Sequence, residues 1–333
     1  MSFEGKQVCV SGAGGFIGSH LVEDLVRQGA KVKALVEYTS TGDQGWLSDL
    51  PENIHKQLEI VAGDIRDIEL MEEFVEGCEL VFHLAALIAI PYSYKAPRSY
   101  VDTNVTGTLN ILQACRNSTH LKRLIATSTS EVYGTAQFVP ITENHPLAAQ
   151  SPYAATKIAA DQLAESFYRS FDLPVAILRP FNTYGPRQSM RAVIPTIIQQ
   201  ALQGDRLTLG NLLPKRDFNF VRDTIQGFIR IAQASDNVCG QVIQVGSGID
   251  VSIKELITVI ESLLGKTLYV KESDERYRPE KSEVYRLCAS IEKAQDLLGY
   301  KPEVTLEKGL KETIQWFTSR LSTNKETVSA YHV

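Results

Sequence analysis

Short apolar runs alternate with stretches in which apolar residues return every three to four positions. Residues 7–10, 31–36, 58–62, 80–84, 121–127 and 175–178 read as strands. Positions 19–29, 97–115, 152–171, 252–265 and 306–317 read as helices, and residues 193–195 open another. Two more short strands are expected at 207–209 and 242–245. Strand and helix alternate through the first half, which predicts an α/β fold: a doubly wound parallel sheet followed by a smaller mixed α/β unit. Residues 1–180 form the expected first domain, with segments returning near 217–248. Residues 181–320 form the second, and 321–333 read as a tail.

The first strand runs straight into S-G-A-G-G-F-I-G and then a helical pattern. Gly12, Gly15 and Gly18 permit a tight turn. They let the backbone, with Phe16 and Ile17 at the helix start, approach a pyrophosphate. Glu37 closes the second strand, where an acid can bind a ribose 2′-hydroxyl and repel a 2′-phosphate, favouring NAD over NADP. Asp64 and Ile65 follow the third strand, with Asp64 placed for the adenine edge. The fourth ends in Leu84, Ala85 and Ala86, small enough at the last two to let backbone lie near a cofactor. His83, inside that strand, reads as a satisfied core histidine.

The fifth strand delivers T-S-T-S-E-V-Y-G, and Y-A-A-T-K follows after a loop. On a helix, Tyr153 and Lys157 share a face. A phenol of ordinary pKa ~10 must fall by about 3 to act as a base near neutrality, or about 4 kcal/mol. One nearby cation supplies about 1–3 of those units. Lys157 alone is borderline, and an oxidised nicotinamide would complete the shift.

Composition adds exclusions. The 333-residue chain has a formal net charge of −5, which argues against a nucleic-acid groove. Cys9, Cys78, Cys115, Cys239 and Cys288 are odd in number and form no C-x-x-C pair, so they read as reduced thiols. No apolar run approaches membrane-spanning length, and the first apolar strand starts too early for a signal peptide. A cytoplasmic enzyme is expected, with no metal site and no membrane partner.

Taken in order, G-x-x-G-x-x-G, G-D-I-R-D, F-H-L-A-A, T-S-E-V-Y-G, Y-x-x-x-K, R-P-F-N-T-Y-G-P-R and R-D-F-N-F-V-R-D resemble an extended short-chain dehydrogenase/reductase of the nucleotide-sugar-modifying branch. The resemblance implies tightly bound NAD and a nucleotide-diphosphate sugar. It assigns Thr129, Tyr153 and Lys157 to oxidation at C4 of the hexose and Ser130 and Glu131 to the steps that follow. Asn182, Arg216 and Arg278 match the diphosphate ligands, while Val193 and Leu209 border the nucleotide. In relatives the helices at 97–116 and 152–171 form a homodimeric four-helix bundle.

Dehydratases of the dTDP-glucose type carry Asp-Glu after the threonine, where this chain has Ser130-Glu131. GDP-mannose 4,6-dehydratases and UDP-glucuronate decarboxylases share Ser-Glu. Further stretches, at 86–94, 135–143 and 278–284, are similar to 4,6-dehydratases of nucleotide-linked N-acetylglucosamine in legionaminic-acid-type pathways. The expected activity is therefore a lyase giving a 4-keto-6-deoxy or a 5,6-ene sugar. A uronate decarboxylase, a 4-epimerase and a non-catalytic NAD-sensing scaffold are the rivals.

Overall fold

The computed structural model describes residues 2–323. Its centre is a seven-stranded, wholly parallel sheet. The strands are β1 (Gln7–Ser11), β2 (Lys31–Glu37), β3 (Leu58–Gly63), β4 (Leu80–His83), β5 (Arg123–Thr127) and β6 (Val175–Pro180). β7 (Asn182–Tyr184), β8 (Arg206–Leu209) and β9 (Lys215–Phe220) intervene before β10 (Val242–Val245) completes it, in the order β10-β6-β5-β4-β1-β2-β3. Side chains along each strand go alternately to two core layers. Val8, Val10, Leu80, Phe82 and Ile125 join one layer. Cys9, Val81, Leu124 and Ala126 join the other, with Phe74, Ile111 and Ala164. Both faces are covered, which is why these strands read as nearly continuous apolar runs.

Strand order reverses between β1 and β4, whose C-terminal residues Ser11 and His83 are paired. The crevice at such a reversal is where ligands of open α/β sheets bind. His83 is satisfied there: Nδ1 meets Ser11 Oγ at 2.8 Å and Nε2 meets Thr108 Oγ1 at 3.0 Å.

Beyond β6 the chain leaves the main sheet. β7 pairs with β9, which pairs with β11 (Asp250–Ser252), and β8 pairs with β12 (Tyr269–Glu272). Of these the sequence pattern gave only β8, because three- to six-residue strands in a mixed, polar setting carry little periodicity. The helix Ile253–Leu264 starts on a capping box between Ser252 and Glu255 and stops at Gly265, whose φ of +64° a glycine adopts without strain.

Three expectations change. The helix expected over 97–115 is three segments: Pro97–Tyr100, a π-helical turn Val101–Thr106, and Gly107–Asn117. The wide turn carries Asn104, which bonds both backbone groups of Leu87 and the Thr156 hydroxyl. The five thiols are not all reduced either. Cys9 and Cys78 are joined in a disulfide across Cα atoms 6.3 Å apart. Parallel pairing of β1 with β4 brings these distant positions together, which linear spacing could not reveal. Cys115, Cys239 and Cys288 are free and buried.

The last helix runs Leu306–Thr323, so it enters the stretch read as a tail, and residues 324–333 lie outside the described part. Among the described residues no helix is long and apolar enough to cross a membrane.

Candidate active site

The nucleotide end is built from backbone. Gly15 caps the helix Phe16–Arg27 with no side-chain hydrogen bond, so the amides of its first turn, at Phe16 and Ile17, have no side-chain acceptor. Gly12 has φ +70°, and a Cβ there would lie 2.7 Å from the Ala85 nitrogen. At Gly18 a Cβ would lie 2.1 Å from the Gly12 carbonyl oxygen. Larger residues are thus excluded where the loop passes Leu84 and Ala85, and an uncapped helix start suits an anionic pyrophosphate. Glu37 is exposed at the end of β2. Asp64 is engaged by Arg66, whose Nε lies 2.9 Å from the carboxylate and holds it below the usual range. Ile65 packs over Gly107 and offers its carbonyl to Asn110, so its side chain belongs to the core layer behind the sheet end. These residues fit a dinucleotide.

Next to that crevice, β5 ends at Thr127 and the chain turns through a short 3₁₀ helix, Ser130–Tyr133, with Thr129 as its extended N-cap. The helix Pro152–Phe171 packs alongside it. Ser151 caps that helix by accepting from the Ala154 amide, and Pro152 occupies its first turn. Tyr153 and Lys157 therefore face the Thr129 turn. Thr129 Oγ1 accepts from the Glu131 amide at 3.3 Å, and its hydroxyl also shares a hydrogen bond with the Tyr153 phenol. Ser130 and Glu131 are both buried.

Burial dominates the electrostatics of Tyr153 and Lys157. Burial pushes the Tyr153 phenol well above its ordinary pKa, and the Thr129 hydrogen bond only partly opposes this. Burial also lowers the pKa of the Lys157 ammonium, against the pull of Asp161. Lys157 Nζ donates to the Thr127 carbonyl at 2.6 Å. Desolvation penalises the charged form of both groups, so Lys157 by itself does not offset the burial of the phenol.

Beneath the turn lies a network that linear reading missed. Arg179 on β6 pairs with Asp161 at 2.7 Å, both buried, and donates to the Tyr133 hydroxyl at 2.7 Å. Ser128 Oγ donates to Asp161 at 2.5 Å, and Tyr133 donates to Gln244 on β10 at 2.9 Å. Asp161 sits one turn beyond Lys157, a spacing that could have flagged it.

On the far side, Asn182 opens β7 with a buried Oδ1 that has no hydrogen-bond partner. Arg216 on β9 is buried, its Nη2 3.9 Å from Glu283. Burial lowers its pKa, and Glu131 and Glu283 pull the other way. Arg278 Nη1 lies 3.5 Å from Glu131 Oε2 and is itself buried without a hydrogen bond. A cavity of about 260 Å³ separates the segment 275–279 from Pro91, Tyr94 and Lys95. Val193 begins the helix Val193–Gln203 half-buried. The Leu209 side chain is spent in the core, and its carbonyl accepts from the Ser273 amide at 2.8 Å.

A doubly wound sheet with Thr129, Tyr153 and Lys157 at its C-terminal edge defines an extended short-chain dehydrogenase/reductase of the nucleotide-sugar dehydratase/epimerase type. The chain belongs to the family described as GDP-mannose 4,6 dehydratase, whose model matches residues 9–313. It is 35% identical to a UDP-N-acetyl-alpha-D-glucosaminuronate decarboxylase of Bacillus cytotoxicus, over 94% of this chain and 98% of that one. It is 32% identical to a putative UDP-glucose 4-epimerase of Methanocaldococcus jannaschii, over 93% and 97%. Among solved structures, the dTDP-glucose 4,6-dehydratase DesIV of Streptomyces venezuelae, crystallised with NAD, superposes with a TM-score of 0.87 at 29% identity, covering 96% of this chain and 99% of that one.

Proposed function

We propose that this chain is an NAD-dependent 4,6-dehydratase of a nucleotide-activated hexose, UDP- or GDP-N-acetylglucosamine, similar to those of legionaminic-acid-type pathways. One observation carries the reading: a buried carboxylate, Glu131, two residues from Thr129 and within the field of Tyr153. Epimerisation at C4 needs no such acid, whereas water loss needs a base for the C5 proton.

Gly12, Gly15, Gly18 and the helix start would hold the pyrophosphate, Glu37 the ribose, and Asp64 the adenine edge. Bound NAD+ would supply a hydride acceptor at C4 and return the hydride at the end of the cycle, to C6 or, for a 5,6-ene product, to C4. Tyr153 takes the 4-hydroxyl proton while Thr129 hydrogen-bonds the same oxygen. The resulting 4-ketone acidifies the C5 proton, which Glu131 removes. Water leaves from C6, its proton coming from Glu131 directly or through Ser130. Asn182, Arg216 and Arg278 bind the diphosphate, where guanidinium forks give paired, charge-assisted hydrogen bonds. Val193 and Leu209 border the base.

Residues 1–180 with returning segments near 217–248 would carry the dinucleotide, and 181–320 the nucleotide sugar. Val101, Tyr168 and Phe171 are exposed apolar residues on the helices expected to pair in a homodimer. A cytoplasmic location fits the absence of a membrane-spanning helix among the described residues.

Decarboxylation of a nucleotide-linked uronic acid is the second reading. The Arg278 guanidinium beside Glu131 supports it, since in that reading the cation would meet a carboxylate on C6 instead of the diphosphate. Product analysis by mass spectrometry and NMR separates the readings. UDP- and GDP-N-acetylglucosamine, and the corresponding uronates, would be supplied in turn. Loss of water supports dehydration, loss of carbon dioxide supports decarboxylation, and unchanged mass with inverted C4 supports epimerisation.

A further inference from the structure

Gln150 precedes the cap of the catalytic helix, and hydrogen bonds from two other parts of the chain meet on it. Its Oε1 accepts from the Thr135 amide. Its Nε2 donates to the carbonyls of Lys281, at 3.2 Å, and Glu283, at 3.1 Å. Its own carbonyl accepts from Ser282 Oγ. Because that hydroxyl hydrogen is already given to Gln150, Ser282 Oγ accepts the hydrogen bond from Tyr94 OH, at 2.5 Å. Thr135 Oγ1 adds a further tie to the Glu283 carbonyl at 3.3 Å. One amide thus reads the backbone on both sides of Ser282, more than 130 positions away in sequence.

The chain on that remote side holds both ends of a charge cluster. Glu283 flanks Arg216, and Arg278 stands beside Glu131. On the near side, Ser151 caps the helix that carries Tyr153. A Cβ at Gly134, whose φ is +62°, would lie 2.6 Å from Gln150 Oε1, so the turn after Glu131 is shaped to admit this side chain.

We propose that Gln150 is a positioning residue: it fixes the Arg278-bearing segment against the catalytic helix, so that the cations gripping the substrate's anionic end are registered to Glu131 and Tyr153. The proposal rests on the reading of Arg216 and Arg278 as diphosphate ligands. Tyr94 is the second anchor of the same strap, acting through Ser282.

A double-mutant cycle tests it. Binding of UDP and of GDP to the NAD-loaded protein is measured by calorimetry for the wild type, Gln150→Ala, Arg278→Ala and the double variant. Gln150→Ala alone should weaken the nucleotide that binds by about tenfold while leaving NAD affinity unchanged. In the Arg278→Ala background the same substitution should add less than about twofold, because its effect passes through that arginine. Tyr94→Phe, which removes one hydroxyl, serves in the same cycle should Gln150→Ala fail to fold, and a smaller loss with the same non-additivity is expected. Additive losses would overturn the role of Gln150 and leave the substrate class standing. If neither nucleotide binds the wild type, the substrate class falls and this role falls with it.

Discussion

Arg278 and Glu131 face each other across 3.5 Å without a hydrogen bond completing the contact. In the proposed mechanism this loosely held guanidinium exchanges Glu131 for the diphosphate, and the carboxylate it leaves would face the sugar. Glu131→Gln should therefore stop water loss, by about 10²–10⁴-fold if it acts as a general base. Oxidation at C4 should persist, seen as transient NADH absorbance on mixing with the nucleotide sugar. Full turnover by that variant would remove Glu131 from the mechanism.

Tyr153→Phe should lose even the oxidation half-reaction, leaving no NADH transient. In the wild type, burial holds the phenol protonated. Ultraviolet difference titration of the ligand-free protein should thus show no tyrosinate near neutrality. Adding NAD+ should bring one tyrosine's ionisation down, a change the Phe variant would lack.

Gly12→Ala places a methyl 2.7 Å from the Ala85 nitrogen in a backbone conformation of positive φ. Strain of about 1–3 kcal/mol is expected from the backbone alone. The variant should bind NAD weakly and melt early, measured by fluorescence titration and calorimetry.

Asp161→Asn leaves the buried Arg179 without its counter-charge. Burial works against the arginine's charge, and Asp161 with Tyr133 more than offsets it in the native chain. Breaking one side should cost about 3–5 kcal/mol in urea denaturation. A stability within 1 kcal/mol of wild type, roughly the scale of an exposed pair, would contradict this placement.

Acid should destabilise the protein through its histidines. Burial, with Lys157 adding, lowers His83 to about 3, and burial with Arg187 lowers His20 to about 4. The unfolded chain binds these protons at about pH 6.5, so stability is present above that value and lost as pH falls below it. Each group contributes a slope of about 1.4 kcal/mol per pH unit. His83→Asn should flatten the dependence between pH 6 and about 4, whatever its own stability. An unchanged slope would mean the imidazole charges freely in the fold.

What could be read along the chain was whatever repeats locally. The main-sheet strands, the glycine turn and the helix carrying Tyr153 and Lys157 follow from periodicity and punctuation, and each is present. Glu131, Arg216 and Arg278 followed only from resemblance, and the structure brings them to one cluster. Arg179 and Gln150 were not legible, because their partners lie on other elements, whereas Asp161 could be flagged only by its place one turn beyond Lys157. The disulfide was hidden for the same reason: Cys9 lies on β1 and Cys78 in the turn before β4, 69 positions apart. Lys157 shows a different limit: its position was evident, but its allegiance to the Thr127 carbonyl depends on burial that residue types do not disclose.

Because β10 adds to the sheet outside β6, a chain cut after Pro180 would leave the backbone of β6 open along its length. Such a fragment would present a sticky margin to its own copies, inviting aggregation. During synthesis, that margin stays bare until the segment around Val245 has emerged, so the main sheet cannot be completed before the intervening strands β7 to β9 exist. Attempts to express the two halves separately should accordingly yield an insoluble first half unless residues 242–245 travel with it.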